Sequence, residues 1–310
     1  MKAANEKHVV TGAYGLSGRY IAQRLLKKGW VVETLTNTRP LLDEAGEDIF
    51  KGKVKAHPLN FEDGEGLTRS LEGAEVLYNT YWVRFNHKRF THEKAVKNTF
   101  ALFEAAKRAG LRRIVHVSIT NPDASSDLPY FRGKAQIEAF LHKLGIAHSI
   151  LRPAVLFGDN SILLNNIAWM LRKFPLFGIF GDGRYRIEPI YVDDLAALAV
   201  EQGARTKHSV TLDVKGAESY EYRELVRAIG KAIGFERRMV SIPPWLGYAV
   251  GRVLGALTQD VVITQEEIKG LMAGLLATDF PPTGPTKLSE WLLANAQGLG
   301  KSYQNELKRR

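Results

Sequence analysis

Tyr130 and Lys134 stand four residues apart in the run Pro129-Tyr130-Phe131-Arg132-Gly133-Lys134. On a helix that spacing puts both side chains on one face. An ammonium beside a phenol favours the phenolate, so the phenol can give or take a proton near neutral pH. A second set lies near the N-terminus, in Thr11-Gly12-Ala13-Tyr14-Gly15-Leu16-Ser17-Gly18. A turn of small residues lets the backbone approach a pyrophosphate. A helix starting there offers it free N–H groups and a positive dipole end. Gly18 permits close packing of helix on strand, and the whole turn predicts a bound dinucleotide. The third set, Tyr81-Trp82-Val83-Arg84-Phe85, gathers aromatics around one arginine. Tyr81, Trp82 and Phe85 could line an apolar pocket, with Arg84 pairing an anionic group. Asn165, Asn166 and Trp169 are candidates for the opposite wall.

These residues need a scaffold, and the chain predicts one. Short β-branched runs at 8–11, 31–36, 54–59, 74–78, 114–118 and 147–151 read as strands. Helical spacing of apolar residues fills 16–28, 95–108 and 134–144, with Gly29 and Gly145 as stops. Strand–helix alternation of this kind predicts an α/β fold, a doubly wound parallel sheet with helices on both faces. In such a sheet, ligands sit beyond the carboxyl ends of the strands, which is where the glycine turn and the aromatic cluster fall. After Pro153 the alternation becomes irregular. Helices are expected at 162–172, 192–201, 222–233 and 244–257, and strand pieces at 187–190 and 210–214. Thr264 and Glu267 have the spacing of a capping box, and a final helix is expected over 287–308. The expected division is a nucleotide-binding domain over 1–158, with later strands interleaved to about 215, and a smaller, mainly helical substrate lobe over 159–310. The segment 245–257 reads as core, with an interfacial helix or a dimer surface as the alternatives.

The spacing Gly12-x-x-Gly15-x-x-Gly18, with Tyr130-x-x-x-Lys134 before the strand ending Leu151-Arg152-Pro153, resembles the short-chain dehydrogenase/reductase superfamily. The resemblance is to its extended or atypical branch, epimerase/dehydratase-like, over roughly residues 7–215. It implies a Rossmann fold and a nicotinamide cofactor. An NAD-binding member commonly carries an acid at the end of the second strand. Thr36-Asn37-Thr38-Arg39 offers none, and Glu33 comes too early. Arg39 instead suits a 2′-phosphate, with Thr36 and Asn37 donating hydrogen bonds, so the reading is NADP, with NAD as the alternative. By position in the family, Asn60 and Phe61 would lie beside the adenine, Asn79, Thr80 and Tyr81 beside the nicotinamide-side ribose, and Pro153, Ala154 and Val155 over the nicotinamide. Lys134 would grip the ribose as well as activate Tyr130. The family's third catalytic hydroxyl would be Ser118 or Thr120. Gly181-Asp182-Gly183 and Val192-Asp193-Asp194 resemble the extended branch's lobe. The short gap between Ser118 and Tyr130, and the lack of an Asp-Glu pair after Ser118, depart from sugar-nucleotide epimerases and dehydratases. The whole chain also looks like proteins related to the NADPH-binding accessory subunit of respiratory complex I. Extended relatives often dimerise, which would use the helices 95–108 and 134–144.

Composition narrows the field further. The 310 residues are 45% hydrophobic and 25% charged, with no cysteine, which excludes disordered and low-complexity architectures, disulfides, thiolate metal sites and a cysteine nucleophile. The formal net charge of +10 suits a phosphate-bearing ligand, nucleic acid or an anionic membrane. No zinc-finger or RNA-binding aromatic signature accompanies it, so nucleic acid is not an expected partner. The eight histidines form no metal-ligand spacing and no metal is expected. There is no Gly-x-Ser-x-Gly elbow, no lysine-bearing P-loop, no membrane-spanning apolar run and no apolar secretion signal, so a cytoplasmic location is expected. The reading is an NADP-dependent oxidoreductase. It would move hydride to or from a carbonyl or alcohol of a small substrate, anionic or partly apolar. A non-catalytic NADPH-binding accessory or assembly protein and a nucleotide-sugar epimerase are the alternatives.

Overall fold

The structure, a computed structural model, describes residues 6–309 apart from 44, 89, 160 and 207. In chain order the elements are β1 (Lys7–Thr11), α1 (Leu16–Lys27), β2 (Val31–Leu35), β3 (Val54–His57), α2 (Gly64–Leu71), β4 (Ala74–Asn79), α3 (His92–Arg108), β5 (Arg113–Val117), α4 (Pro129–Lys143) and β6 (Ala147–Pro153). Then follow β7 (Val155–Phe157), α5 (Ile162–Lys173), β8 (Leu176–Phe180), β9 (Arg186–Ile187), β10 (Pro189–Tyr191), α6 (Val192–Ala204) and β11 (Val210–Val214). The chain ends with β12 (Tyr220–Glu221), α7 (Tyr222–Ile233), β13 (Arg238–Ile242), α8 (Pro244–Thr258), α9 (Gln265–Met272), α10 (Leu288–Asn295) and a 3-10 turn at Leu307–Arg309.

The chain divides into two compact units, Met1–Arg152 with Leu195–Asp213, and Pro153–Asp194 with Val214–Arg310. The first is built on a seven-stranded sheet in the order β11-β6-β5-β4-β1-β2-β3. The pairs β1–β2, β2–β3, β1–β4, β4–β5 and β5–β6 are all parallel. The central strands are covered on both faces, so they read as nearly unbroken apolar runs; Val9, Val10, Val76, Leu77 and Ile114 are fully buried. From β1 the order runs outward to β2 and β3 on one side and to β4, β5 and β6 on the other. That reversal is the doubly wound Rossmann arrangement, and its switch point lies between β1 and β4.

The second unit has its own core, where Phe157, Leu164, Leu171, Phe177, Ile179, Leu225, Ile229 and Leu292 pack together. Its strands form short pairs, β7 with β10 and β8 with β13 in parallel, and β9 with β12 antiparallel. The capping box at α9 is formed: Thr264 Oγ1 accepts from Glu267 N at 3.1 Å, and the Glu267 carboxylate from Thr264 N at 2.8 Å. The expected helix over 287–308 is not continuous. It ends at Asn295, Gly300 adopts a left-handed φ of +72°, and a Cβ there would lie 2.5 Å from the backbone of Ala168 and Trp169. The tail is instead drawn against α5, whose Asn165 accepts from Gly300 N at 3.0 Å.

Candidate functional site

The glycine turn leaves β1 at the switch point. Gly12 takes a φ of +63°, a conformation that costs a side-chain-bearing residue energy but not glycine. Its N–H donates to Leu35 O (2.9 Å), and its carbonyl accepts from Gly15 N (2.8 Å). Thr34 Oγ1 donates to Val10 O (2.8 Å) and accepts from Ala13 N (3.0 Å), which ties the turn to β2. At Gly18 a Cβ would stand 2.2 Å from the Gly12 carbonyl oxygen and 3.1 Å from Ala13 Cα. Only glycine lets α1 come this close. The start of α1 carries no side-chain cap and no acidic residue in its first turn. Its first N–H groups therefore face outward with the positive end of the helix dipole, the arrangement that takes an anion. Tyr14 is nearly buried, its ring 5.4 Å from that of Phe50.

Beyond β2, Arg39 is exposed and forms no ion pair among the described residues. Thr36 Oγ1 accepts from Thr38 N at 3.0 Å. The Asn37 side chain is engaged on both sides: it donates to Leu59 O (2.8 Å) and accepts from Leu59 N (3.0 Å). It fastens the end of β2 to the segment after β3. Glu33 is likewise occupied, by Lys7 Nζ at 3.0 Å and His57 Nε2 at 2.8 Å. Burial pushes its carboxyl up, but the bonds from Lys7 and His57 outweigh this and hold it below the ordinary range. Asn60 is exposed and accepts from Glu62 N at 3.1 Å, while the Phe61 ring packs 4.8 Å from Tyr81.

The end of β4 is organised by Thr11. Its Oγ1 donates to Asn79 Oδ1 (3.1 Å) and accepts from Thr80 N (2.8 Å) and Tyr81 N (3.1 Å). Thr80 Oγ1 donates back to Thr11 O at 2.7 Å. Asn79 Nδ2 donates to His116 Nδ1 at 3.0 Å, which leaves the ring proton on Nε2. Burial, and after it the charge of Lys134, holds the His116 imidazole well below its usual range, so it is neutral at physiological pH. Sequence reasoning did not single out His116; its place at the fourth position of an apolar strand was its only signal.

Tyr130 and Lys134 lie on α4, which begins at Pro129 in the favoured first position. Lys134 is 2% exposed. Its Nζ donates to Val117 O (2.8 Å) and sits 4.5 Å from the centre of the Trp82 ring. Burial lowers its pKa to about 7, against the opposing pull of Glu138. Trp82 meets Tyr130 edge-on at 5.5 Å and stacks on His92 at 5.6 Å. Room for the indole comes from Gly133, where a Cβ would fall 2.9 Å from the Trp82 ring. Trp82 thus spans the helix surface between the two residues of the motif, a closer part than the pocket wall expected for it.

Of the two candidate hydroxyls, Ser118 Oγ donates to Glu138, whose carboxylate also holds Arg152 in a forked contact. Glu138 follows Lys134 at the same four-residue spacing, which places it on the helical face of the motif, but its pairing with Ser118 and Arg152 has no signal in the sequence. Thr120 is fully buried, and its Oγ1 has no hydrogen-bond partner among the described residues. Phe85 is 2% exposed, with the Arg84 guanidinium 4.8 Å above its ring; it is core, not pocket lining.

The remaining candidates fall in the second unit. Asn165 donates to Ser302 O (2.8 Å) and Asn166 to Gln304 O (3.0 Å), and Asn166 accepts from Gln304 N (2.9 Å). The Trp169 ring packs against Phe174 and Tyr303. These three fasten the C-terminal segment to α5, and their amides and ring are occupied in doing so. Pro153 closes β6, and Val155 opens β7 and pairs with Pro189. No group of three or more metal-ligating side chains occurs among the described residues.

Three comparisons place this chain among known proteins. The mitochondrial NADH-ubiquinone oxidoreductase 40 kDa subunit of Neurospora crassa is 26% identical over 268 residues, 84% of this chain and 69% of that protein. The triphenylmethane reductase of Citrobacter sp., solved with NADP(H), has the same fold, with a TM-score of 0.72 at 15% identity over 94% of this chain and 99% of that one. An NADPH-dependent quinone oxidoreductase from Escherichia coli, solved with NADPH, gives a TM-score of 0.70 at 20% identity over 92% and 98%. Residues 4–172 match the NmrA-like family, and with more than half of its length so matched, the chain belongs to that family.

Proposed function

We propose that the first unit binds NADP(H) at the glycine turn, and that Tyr130 and Lys134 make the protein an oxidoreductase acting on a carbonyl or alcohol. The observation that carries this reading is one of topology. The glycine turn after β1, the Asn79–Tyr81 segment after β4 and the Ser118–Thr120 segment after β5 leave the same ends of three adjacent parallel strands. The residues fit a dinucleotide: Gly18 leaves no room for a side chain against the turn, and the α1 N-terminus has no acid of its own. Arg39, exposed beyond β2, suits a 2′-phosphate. Similar folds in proteins solved with NADP(H) and NADPH support the choice.

A bound nicotinamide would supply or accept the hydride. The protons fall to the protein. In the reducing direction the Tyr130 phenol gives its proton to the substrate oxygen, and in the oxidising direction the phenolate takes it. Lys134, with a pKa near 7, can hold the phenolate by charge and return the proton. Ser118, held by Glu138, and the buried Thr120 remain the two candidates for orienting the substrate oxygen.

A second reading has its own observation. Lys134 is covered by Trp82 and bonded to Val117 O, and a protein that only holds NADPH would need no more access than that. The Neurospora relative is by its name one subunit of a larger oxidoreductase, which accords with a part in an assembly. Calorimetric titration with NADPH and NADH, followed by NADPH oxidation assays on quinones and aldehydes, tests both. NADPH is expected to bind, and Arg39→Ala to weaken it about ten- to a hundredfold while leaving NADH unchanged. Tyr130→Phe should keep binding and lose turnover. Binding of neither cofactor overturns the proposal; full activity in Tyr130→Phe overturns the proton-transfer role; tight NADPH without turnover favours the second reading.

A further inference from the structure

In the second unit, α8 is built the wrong way round for a surface helix. Its packed side is glycine: Gly247, Gly251 and Gly255, four residues apart, are its buried residues. A Cβ at Gly247 would stand 2.1 Å from the Phe180 ring, at Gly251 2.8 Å from Ile263, and at Gly255 2.6 Å from Asp260 O. The opposite side carries Trp245, Ala249, Val253 and Leu257, also four apart, and Trp245, Val253 and Leu257 are 70%, 62% and 76% exposed. The glycine contacts fix the rotation of the helix, so it cannot turn this stripe inward.

The apolar surface continues onto the β8–β13 pair. Phe177 and Ile179 face the core of the unit, so Leu176, Gly178 and Phe180 face the other way, paired with Arg238, Val240 and Ile242. Helix α8 covers the Phe180 and Ile242 end; Leu176 and Val240 remain exposed at the other. The charges borne by α8, β8 and β13 themselves are of one sign, with the exposed acids Asp182, Glu236 and Glu266 on the flanking segments. Arg238 and Arg252 are exposed, no acid occurs from 237 to 259, and the chain as a whole carries +10.

We propose that α8, with the open face of β8 and β13, seats the protein on an anionic phospholipid surface. An apolar stripe with a tryptophan at one end and arginines at its rim matches the boundary between acyl chains and phosphate head groups. The helix has 15 residues, about 22 Å at 1.5 Å per residue, short of a hydrocarbon core of roughly 30 Å. No helix among the described residues is long and apolar enough to cross a membrane, so α8 lies in the plane of the surface. A second copy of the chain is the poorer occupant, because a two-fold contact would bring Arg238 and Arg252 of two strongly basic chains together.

Vesicle flotation of the full chain tests this, with phosphatidylcholine alone and mixed with phosphatidylglycerol. The wild type is expected to float with the anionic vesicles and to be released by salt. Val253→Asp and Leu257→Asp, both at exposed positions, should keep the wild-type circular dichroism and thermal transition. Each should weaken partition roughly tenfold or more. Arg252→Glu should weaken anionic binding alone. No flotation with anionic vesicles overturns the proposal, as does equal partition of wild type and variants. A sedimenting dimer that Leu257→Asp converts to monomer, without vesicle binding, would assign the surface to a second copy.

Discussion

Replacing Lys134 by methionine removes a charge the fold holds at a cost, and the cost depends on pH in a defined direction. Burial lowers the Lys134 pKa from 10.5 to about 7. Between those values the unfolded chain binds a proton on this lysine and the folded chain does not, so stability rises with pH, by about 1.4 kcal/mol per pH unit. Below pH 7 both states hold the proton and the penalty is constant, on the order of 5 kcal/mol by the same relation. Methionine is similar in volume and carries no charge. It loses the bond to Val117 O, worth roughly 0.5–1.5 kcal/mol; the attraction of the Trp82 ring acts only on the charged form, so the pKa already carries it. Lys134→Met should therefore be more stable than wild type below pH 7, by about 3–4 kcal/mol, and slightly less stable only above about pH 10, where the penalty has nearly gone. Urea unfolding of both proteins from pH 6 to pH 10, followed by circular dichroism, measures the difference directly. A difference that stays constant between pH 7 and pH 9 would refute the argument, because the lysine would then have the same pKa folded and unfolded.

Gly18→Ala forces a Cβ to within 2.2 Å of the Gly12 carbonyl oxygen, a backbone atom that moves only with the turn. Thermal unfolding should report a loss of about 1–3 kcal/mol, and calorimetry a larger loss of NADPH affinity than Arg39→Ala causes. Thr11→Val keeps the shape but removes the oxygen that accepts from Thr80 N and Tyr81 N. It should cost roughly 1–3 kcal/mol in a denaturant titration. Gly133→Ala should displace the Trp82 indole, since a Cβ there would lie 2.9 Å from it. If Trp82 screens Lys134 from water, the variant's excess stability over pH should flatten as it does in Lys134→Met, and an unchanged pH slope would dismiss that role.

Much of the first unit was legible because its signals are local. The β1–glycine turn–α1 passage rests on residues within a dozen positions: a β-branched run, Gly12 where φ must be positive, Gly18 where nothing larger fits, and Gly29 as the stop. Apolar spacing predicts the helix from Lys134 onward, which the structure begins earlier, at Pro129, so that it also carries Tyr130, and the strand–helix alternation predicts the parallel sheet. The end of the chain misled for the complementary reason. Residues 287–308 have helical composition, yet the helix ends at Asn295, just before Gly298 and Gly300, and Gly300 then meets Ala168, more than a hundred positions earlier in the chain.

What the sequence determined by itself is the chemical inventory and its order: a glycine turn after the first strand, an arginine in place of an acid after the second, and a tyrosine and lysine on one helical face. What only the tertiary structure decided is which of those groups are still available. Asn37 and Ser118 are polar, well placed along the chain, and already bonded, to Leu59 and Glu138. Thr120, two residues from Ser118, is buried with its hydroxyl oxygen unpartnered among the described residues. Lys134 reads as an ordinary cation until Trp82 and Val117 close over it. Hydrogen bonding and desolvation act between residues that are neighbours in space, and spacing along the chain carries no record of them.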